Sequence, residues 1–306
     1  MTPRTARPLR LLAIVAVVAI LGAVGVTAAG AATPRKATRS TTTAVSRTAR
    51  PAAPRAMWVW DTSDPAAVVS LATSRGIGQL YAAVPPDVGT SPQLAQLRRL
   101  VELADAAGVR VDALGGDPGW VDNPTWVVNS WLKPALATGL FTGVHVDIEP
   151  YTTSAWTTNR KAVVKRYLSV LDTLRTAAGA TPIEADIPFW YDEVAANGST
   201  LDRETMRRTA AVTVMAYRNL ADGTDGSIAL SANEVRAGAE LGRPVRIGQE
   251  TTFLGTDPTE VKQTFYGQTL TQMESQLNRI VAAYAWSPSF AGLAVHDAKG
   301  YAAVTD

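Results

Sequence analysis

Eight short apolar segments recur over residues 56–306, and a helical segment or a loop follows each of them. Most of them alternate apolar and polar residues with a period of two, which is typical of β-strands. The segments between them repeat apolar residues at helical spacing. Eight strand–helix units in about 250 residues predict an α/β fold, a single closed (β/α)8 TIM barrel. The predicted strands are 57–60, 79–84, 109–114, 143–149, 183–187, 212–217, 245–250 and 292–296.

An open, doubly wound sheet is the alternative arrangement for alternating strands and helices. Such sheets commonly bind nucleotides through a glycine-rich loop that follows a strand. No glycine-rich phosphate-binding fingerprint follows any of the eight predicted strands. The sequence therefore favours the barrel, and it implies no cofactor.

The first 32 residues have the pattern of a secretory signal. Arg4, Arg7 and Arg10 precede an apolar run at residues 11–29, and small residues follow it. A basic start, an apolar stretch and a small-residue cleavage site predict a cleaved signal peptide at 1–32 and a secreted, extracellular protein. The run is almost long enough to span a bilayer. An uncleaved membrane anchor, which would tether the protein to the cell surface, is therefore the alternative.

Residues 33–55 predict a disordered linker. They are rich in Thr, Ser, Ala and Pro, with six basic residues and no acidic one, a composition that cannot bury a hydrophobic core. Residues 1–55 hold nine of the 29 basic residues and none of the 27 acidic residues, so the rest of the chain has a net charge of −7. An acidic barrel domain at 56–306 argues against nucleic acid as a partner.

The chain has no cysteine and only two histidines, His145 and His296. Thiol catalysis, cysteine-ligated metals and a three-histidine zinc site are therefore excluded. A small secreted fold often needs disulfides, but about 250 residues can bury an adequate core without them.

The polar residues of the predicted strands share one face. When the apolar positions of each strand are placed against the helices, the opposite positions point into the barrel. Barrel interiors usually hold branched aliphatic side chains, whereas this one would be polar. A buried salt-bridge network neutralised by Arg110 and Arg246 is one interpretation, and carboxylates that do chemistry at the mouth are another. The two are compatible. The predicted interior residues are Trp58, Trp60, Gln79, Tyr81, Arg110, Asp112, His145, Asp147, Glu149, Glu184, Asp186, Thr213, Met215, Tyr217, Arg246, Glu250, Ala294 and His296.

The C-terminal ends of the strands hold the functional site in (β/α)8 barrels. Here those ends carry carboxylates together with aromatic residues. Aromatic faces stack on the apolar faces of sugar rings and carboxylates bind hydroxyl groups, so the combination predicts a carbohydrate groove. The candidate substrate-binding residues are Trp60, Trp120, Asp186, Trp190, Tyr217, Arg218 and His296, and Trp156 and Tyr191 are further candidates for an aromatic rim.

The fourth predicted strand ends in two carboxylates that share a face. Asp147 and Glu149 are two residues apart, about 6.5 Å along the strand. Cleavage of a glycosidic bond requires an acid that protonates the leaving oxygen. Partial burial and a neighbouring anion raise the pKa of a carboxyl group. We therefore expect Glu149 to be the general acid/base, with Asp147 tuning or assisting it.

Two motifs resemble those of family 18 glycoside hydrolases, the chitinases and their relatives. Residues 142–149 (TGVHVDIE) are similar to the fourth-strand motif DGxDxDxE, in which Asp147 and Glu149 match the last Asp and the Glu. Residues 215–217 (MAY) resemble the sixth-strand motif MxY. The resemblance implies a barrel that cleaves sugar polymers, with Glu149 as the acid.

The same resemblance implies substrate-assisted cleavage. In that mechanism the substrate's N-acetyl group attacks, Asp147 orients it and Tyr217 hydrogen-bonds it. The chain departs from the motif at its first two Asp positions, where Thr142 and His145 stand. The family's eighth-strand Trp is also absent, and His296 lies nearby.

A second resemblance is to the layout of the retaining (β/α)8 glycosidases. It implies Glu149 as acid/base on strand four and Glu250 as nucleophile on strand seven, about 5–5.5 Å apart. Asn usually precedes the first of these Glu residues, and Ile148 stands there in this chain. The chain also resembles a group of uncharacterised secreted bacterial barrel proteins that share HxDxEPY (145–151), MAYR (215–218) and a terminal HD pair.

Together these patterns predict a secreted glycosidase whose partner is a cell-wall or extracellular polysaccharide or oligosaccharide. Its catalytic candidates are Glu149, Glu250 and Asp147. A non-catalytic carbohydrate-binding barrel is one alternative, because similar folds are known without activity. Another is a metal-assisted phosphodiester hydrolase, in which strands four and five would supply the ligands His145, Asp147, Glu149 and Asp186.

Overall fold

The structure, a computed structural model, describes residues 54–306. The predicted signal or anchor at 1–32 and the predicted linker up to residue 53 lie outside the described residues. Within 54–306, no helix is long and apolar enough to cross a membrane.

Eight parallel strands close into a barrel, which confirms the predicted fold. Each strand pairs with its neighbours in chain order and the last pairs with the first, so the sheet has no open edge. The strands are β1 (Arg55–Val59), β2 (Ile77–Ala83), β3 (Arg110–Gly115), β4 (Val144–Val146), β5 (Ile183–Pro188), β6 (Ala211–Met215), β7 (Val245–Glu250) and β8 (Phe290–His296).

Helices alternate with the strands and pack against the outside of the barrel. The longer α-helices are Pro65–Ser74, Leu94–Ala106, Ser154–Ala178, Ser227–Leu241 and Leu270–Tyr284, and the shorter ones are Leu201–Met206, Pro258–Val261 and Ala298–Ala303. Between β3 and β4 the chain forms Pro124–Trp126, the π-helical segment Val127–Leu132 and Lys133–Ala137 in succession. The 3-10 turns are Val88–Thr90, Pro118–Asp122, Pro150–Thr152 and Phe189–Glu193.

Local sequence signals fix where several helices begin. The Asp64 carboxylate caps the first helix by accepting a hydrogen bond from the Ala67 backbone N–H (3.0 Å), and Pro65 has the φ angle that a first helical residue requires. Thr269 and Gln272 form a capping box at the start of the last long helix. These caps explain why the starts of both helices are predictable from the sequence.

Strand β4 is shorter than predicted, and the difference positions two carboxylates. Regular pairing ends at Val146, whereas the prediction extended the strand to Glu149. The Asp147 backbone N–H still bonds to the Gly115 carbonyl of β3 (3.0 Å). Pro150 then begins a 3-10 turn and has no N–H with which to continue the ladder. Asp147 and Glu149 therefore leave the sheet at its C-terminal end.

A short hairpin between β5 and β6 is not predicted by the sequence pattern. Ala195–Ala196 pairs antiparallel with Ser199–Thr200. The turn residues Asn197 and Gly198 both have positive φ (48° and 77°), and Asn-Gly is a strong signal for such a turn. Strands of two residues carry no periodicity, so the turn alone could have revealed them.

The hydrophobic core lies mainly between the barrel and the helices, where aliphatic residues of the strands pack against the helices. A much smaller apolar cluster lies inside the barrel and contains Ala56, Trp58, Tyr81, Leu114 and Ala294. Because this inner cluster is small, polar side chains occupy much of the remaining interior, as the strand pattern predicts.

His145 lies at the centre of the buried polar interior. Its Nε2 lies 2.8 Å from Asp186 Oδ1, and its Nδ1 lies 3.7 Å from Glu184 Oε2. The Tyr81 ring stacks on the imidazole, and the Trp58 indole N–H donates to Asp186 Oδ2 (2.9 Å), so both Asp186 oxygens are occupied. Burial opposes a positive charge, but the two carboxylates raise the pKa of His145 to about 10. The imidazole is therefore a cation at neutral pH.

Arg246 completes the network nearer the N-terminal end of the barrel. Its Nη2 donates to Gln79 Oε1 (2.8 Å), and Gln79 Nε2 donates to Asp112 Oδ2 (2.6 Å). Burial opposes ionisation of Glu184, but the imidazolium and the charges of Arg246 and Arg110 lower the pKa of Glu184 to about 2. The interior is therefore a buried network of ion pairs and hydrogen bonds, in line with the first interpretation of its polar residues.

We expect the free energy of unfolding to be greatest between about pH 4.5 and 6.5 and to fall on both sides. His145 contributes stability below its unfolded pKa of 6.5, and this contribution is lost as the pH rises through about 10. Glu184 contributes stability above its unfolded pKa of 4.5, and this contribution is lost as the pH falls through about 2. Urea unfolding followed by circular dichroism across this pH range measures the effect.

His145→Gln provides the matched comparison, since glutamine keeps a hydrogen-bond donor near Asp186 but cannot carry a charge. The variant should be less stable at pH 6 and should show a shallower decrease in stability between pH 6.5 and 10. A decrease as steep as that of the wild type would contradict the role assigned to His145.

Candidate active site

Asp147 and Glu149 lie at the C-terminal end of β4, above the buried network, and both are partly exposed. The loop after β3 holds their backbone. Gly116 packs so closely against Asp147 that a Cβ at position 116 would lie 1.8 Å from the Asp147 carbonyl oxygen. Together with the hydrogen bond from the Asp147 backbone N–H to the Gly115 carbonyl, this contact fixes the backbone from which the Asp147 and Glu149 side chains extend.

Burial raises the pKa of both carboxyl groups. For Asp147 burial is the largest cause, the charges of Glu149 and Asp186 add to it, and the pKa lies well above its usual value. Asp147 Oδ1 has no hydrogen-bond partner among residues 54–306. For Glu149 burial also raises the pKa, a hydrogen bond from Tyr151 opposes it and Asp186 adds to it. Both carboxyl groups therefore hold a proton to a higher pH than a carboxyl group in water does.

Tyr151 is the hydrogen-bond partner of Glu149, because its phenol donates to Glu149 Oε1. The Tyr151 ring packs edge-on against Trp190, Trp156 and Tyr191, with ring centroids 5.1, 6.4 and 6.2 Å apart. We call these four residues the Tyr151 cluster. The cluster fixes the phenol and thereby orients the Glu149 carboxyl group through its Oε1.

Glu250, at the end of β7, has both carboxylate oxygens engaged. Oε1 accepts hydrogen bonds from the backbone N–H groups of Thr251 and Thr252 (2.7 and 2.6 Å) and from the Thr252 hydroxyl (2.8 Å). Oε2 lies 2.8 Å from Nδ1 of His296. The residue is only 3% exposed. These contacts restrain the carboxylate and cover both of its oxygens.

His296 connects Glu250 to Trp60. The Trp60 indole N–H donates to His296 Nε2 (2.8 Å), which requires a neutral imidazole with its proton on Nδ1. Burial opposes a positive charge, but Glu250 raises the pKa of His296 to about 9, which favours the cation instead. Nδ1 carries a proton and faces Glu250 in both forms, but only the neutral form can accept the Trp60 hydrogen bond at Nε2. In that neutral form the Glu250–His296 pair orients the Trp60 indole at the mouth.

Tyr217 follows β6, and its ring lies near His296, with centroids 6.3 Å apart. Gly248 of β7 provides the space, because a Cβ there would lie 3.3 Å from Tyr217 and 3.4 Å from Trp58. Burial, and after it the charge of Glu250, raises the pKa of Tyr217 well above its usual value. The phenol is therefore a neutral hydrogen-bond donor at the mouth.

A cleft of about 600 Å³ lies at the ends of β1, β2 and β3, and its wall includes Gly116, which packs against the Asp147 backbone. Trp126 on its edge is 46% exposed, whereas Trp120 is largely buried in the wall. A pocket of this volume, with mostly apolar walls and a few polar groups, is typical of a site that binds a small molecule. Its lining includes Trp60, Leu114, Gly115, Gly116, Trp120 and Trp126.

Other predicted rim residues are placed differently. Trp190 is half-buried, and Trp156 and Tyr191 are buried behind it, so the prediction that these two line the surface is wrong. Stacked aromatic rings bury more apolar area than separate rings that face water. Arg218 is buried too, and its guanidinium pairs with Asp225 (2.8 Å), so it holds a loop in place.

Metal ligation receives no geometric support from this part of the chain. Residues 54–306 contain no group of three or more histidine, aspartate or glutamate side chains arranged to hold a metal ion. Of the four proposed ligands, His145 and Asp186 bond to each other within the interior. Asp147 and Glu149 face the mouth instead.

No protein-family model matches the sequence, and no curated protein matches it. Solved structures do match. A family 18 chitinase from Cycas revoluta in complex with (GlcNAc)3 superposes with a TM-score of 0.54 at 14% identity, over 82% of this chain and 97% of that chain. The spore cortex-lytic enzyme SleL from Bacillus megaterium QM B1551 gives 0.52 at 11% identity, over 82% and 73%. The likeness shows the fold alone, a (β/α)8 barrel, as the eight strand–helix units predicted.

Sequence reasoning missed two residues that shape the site. Tyr151 follows Glu149 by two positions, and this spacing on an irregular turn gives no periodic signal that the two meet. Gly116 was only one of several glycines after a strand, and its contact with Asp147 joins separate segments of the chain. In both cases the decisive contact is tertiary.

Removing the Tyr151 hydroxyl should raise the pKa of Glu149. Tyr151→Phe keeps the ring in its cluster and deletes only the donor to Glu149, and that hydrogen bond opposes the effect of burial. Carbon-13 NMR titration of protein labelled at the glutamate carboxyl groups measures the shift. The Glu149→Gln protein identifies the resonance.

Tyr191→Phe is the matched control, because the Tyr191 hydroxyl lies in the same cluster but has no hydrogen-bond partner among residues 54–306. Its titration should coincide with that of the wild type. Equal midpoints in all three proteins would show that the phenol does not tune Glu149.

Proposed function

We propose that the protein hydrolyses glycosidic bonds in a polysaccharide or oligosaccharide of N-acetylated amino sugars, with Glu149 as general acid/base. The observation that carries the proposal is the pair Asp147 and Glu149, two carboxyl groups with raised pKa values at the end of a barrel strand. A carboxyl group with a raised pKa holds its proton to a higher pH and can protonate a leaving oxygen. The aromatic cleft at the ends of β1, β2 and β3 supplies faces for sugar rings.

In the first step, Glu149 donates its proton to the glycosidic oxygen as the bond from that oxygen to C1 breaks. The carbonyl oxygen of the substrate's own acetamido group attacks C1, which yields a cyclic oxazolinium ion. Asp147 accepts a hydrogen bond from the acetamido N–H and stabilises the positive charge that develops there. The neutral phenol of Tyr217 positions the acetamido group.

In the second step, the Glu149 carboxylate takes a proton from a water molecule whose oxygen adds to C1. The oxazolinium ring opens, the acetamido group is restored and Glu149 is again protonated. Each cycle consumes one water and breaks one glycosidic bond. Tyr151 favours the carboxylate form of Glu149 through its hydrogen bond, which eases the proton transfer of the first step.

The contacts of Glu250 favour this mechanism over one in which Glu250 attacks the sugar. A nucleophile needs a free lone pair directed at C1. Both Glu250 oxygens are instead covered by Thr251, Thr252 and His296. We therefore assign Glu250 a positioning role, through His296, for the Trp60 indole.

The solved neighbours agree with this proposal in chemical type. The Cycas revoluta chitinase holds (GlcNAc)3, and a mutant of it holds (GlcNAc)4 with a TM-score of 0.55 at 13% identity, over 82% of this chain and 97% of that chain. SleL is a spore cortex-lytic enzyme. Chitin and peptidoglycan, two polymers of N-acetylated amino sugars, are accordingly the first substrates to test.

Glu149→Gln should lower kcat by roughly 10²–10⁴-fold, the usual contribution of a general acid. Asp147→Asn should lower it by roughly 10²-fold through loss of transition-state stabilisation. Glu250→Gln should cost about tenfold or less, because only the orientation of His296 weakens. Turnover of chitin oligosaccharides and of peptidoglycan fragments, with sugar products resolved by chromatography, measures all three.

Glu193→Gln, at an exposed position after β5, is the control and should match the wild type. A larger loss in Glu250→Gln than in Asp147→Asn would favour the retaining mechanism with Glu250 as nucleophile. If the wild type binds these sugars without cleaving them, the proposed hydrolysis is wrong and a non-catalytic carbohydrate-binding barrel is favoured. The residues Thr142 and His145, which stand where the motif has Asp, favour that alternative.

A further inference from the structure

His296, at the end of β8, contacts a different side chain with each of its ring nitrogens. Its Nδ1 lies 2.8 Å from Glu250 Oε2, and its Nε2 lies 2.8 Å from the Trp60 indole nitrogen. The indole N–H is a donor only, so it can bond only to an Nε2 that carries no proton. The arrangement in the structure is therefore that of the neutral imidazole, with its single proton on Nδ1.

A second proton on His296 is incompatible with this arrangement. The imidazolium carries an N–H on both ring nitrogens, so its Nε2–H would face the Trp60 indole N–H. Two donors at a separation of 2.8 Å have no acceptor between them, and their hydrogens repel each other. The hydrogen bond from Trp60 and the proton on Nε2 therefore exclude each other.

The carboxyl groups around His296 favour the second proton. Burial opposes the positive charge, but Glu250, and after it Asp297 and Asp147, raise the pKa of His296 to about 9. The charge of Glu149 acts in the same direction, because the imidazolium lowers the pKa of Glu149 in return. His296 is therefore a cation below about pH 9 and becomes neutral as the pH rises through that value.

The aromatic rings packed around His296 stay uncharged in this range. The centroids of the Trp58, Trp60 and Tyr217 rings lie 5.6, 6.1 and 6.3 Å from that of the imidazole. Indole does not titrate, and burial raises the pKa of Tyr217 well above its usual value. The change of charge on His296 therefore acts on Trp60 by direct contact and not through a second titrating ring.

Trp60 has open space next to it on two sides. It follows β1 and lines the cleft of about 600 Å³ together with Gly116 and Trp120. It also lines a second cavity of about 190 Å³, whose other walls come from the helices Pro65–Ser74 and Ala298–Ala303. An indole that loses its bond to His296 can therefore move into either space.

We propose that His296 is a proton-controlled latch for Trp60, in which the neutral imidazole holds the indole in the wall of the cleft and the imidazolium releases it. Because the pKa of His296 is raised to about 9, the latch is open near neutral pH and closes as the pH rises. The shape of the cleft then depends on the charge of one buried side chain. The latch does not depend on the proposed hydrolysis, since it concerns two side chains of the free protein.

NMR of the whole protein can follow Trp60 and His296 separately. Fluorine NMR after labelling with 5-fluorotryptophan reports on the eight tryptophans, and carbon-13 NMR of labelled histidine reports on the two imidazoles. Trp60→Phe identifies the Trp60 signal, and Trp60→Leu does so if the first variant fails to fold. We expect the Trp60 signal to shift between about pH 7 and 10.5 with the same midpoint as the His296 signal.

The coupling should also act in the reverse direction, because a bond that Trp60 makes only to the neutral imidazole stabilises that form. Trp60→Phe deletes the donor. The acid dissociation constant of His296 should then fall roughly three- to tenfold, the effect of one lost hydrogen bond. Glu250→Gln removes the neighbouring negative charge and should change the same constant in the opposite direction.

Three controls separate the latch from a general effect of pH. His296→Gln offers an acceptor oxygen and cannot gain a proton, so its Trp60 signal should stay constant with pH. His145→Gln removes the other histidine, whose pKa is raised to about 10, and should leave the midpoint of Trp60 unchanged. Trp286 is 49% exposed and precedes β8, at the opposite end of the barrel, so its signal should not follow His296.

Three results would overturn the proposal. The first is a Trp60 signal that stays constant while His296 titrates, and the second is an imidazole at position 296 that does not change charge between pH 7 and 10.5. The third is an equal dissociation constant of His296 in the wild type and in Trp60→Phe. None of these results bears on the proposed hydrolysis, because all are measured without a substrate.

Discussion

A positive charge buried between two carboxylates is the interaction on which the barrel interior depends. His145 lies between Asp186 and Glu184, and isolated charges at that depth would be very costly. Removing one partner would leave an uncompensated charge inside the sheet. The same interaction affects the site above it, because the charge of Asp186 contributes to the raised pKa of Asp147.

Above this network, the residues at the C-terminal end of the barrel are positioned mainly by close backbone contacts rather than by flexible side chains. Gly116 allows the β3 loop to touch the Asp147 carbonyl, and Gly248 allows Tyr217 to lie over β7. Rigid supports of this kind matter at a site, because small displacements of a reacting group can be costly in rate. Tyr151, packed among aromatic rings, extends the same rigidity to Glu149.

The sequence predicts the parts of this structure that repeat. Period-two alternation gives the eight strands and the face that points inward, so His145, Asp186 and Arg246 could be placed inside the barrel. The same alternation wrongly predicted that β4 extends to Glu149, because an alternating pattern does not show where the hydrogen bonds between strands end. Contacts between distant segments produce no periodic pattern in the sequence. The structure was therefore needed to show that both Glu250 carboxylate oxygens are engaged by neighbouring groups.

For the aromatic residues, too, the sequence predicts some features and only tertiary packing decides others. A tryptophan at a strand end predicts a side chain at the rim of the barrel. Whether the ring lies at the rim or in the core depends on the side chains around it, and the Trp156 ring stacks on Tyr191. Exposed Trp126 lies on the short helix Pro124–Trp126, and exposed Phe253 lies on the loop after β7. Which rings face water is therefore a property of packing.

The entry of the chain into the barrel has a directional consequence. Arg246 donates to the Pro54 carbonyl, and Arg55 begins β1 while its guanidinium bonds to Glu274, all at the N-terminal end of the strands. Residue 54 therefore lies at the end of the barrel opposite the two carboxylates. A surface coupled to the barrel at that residue would leave the end that carries Asp147 and Glu149 uncovered.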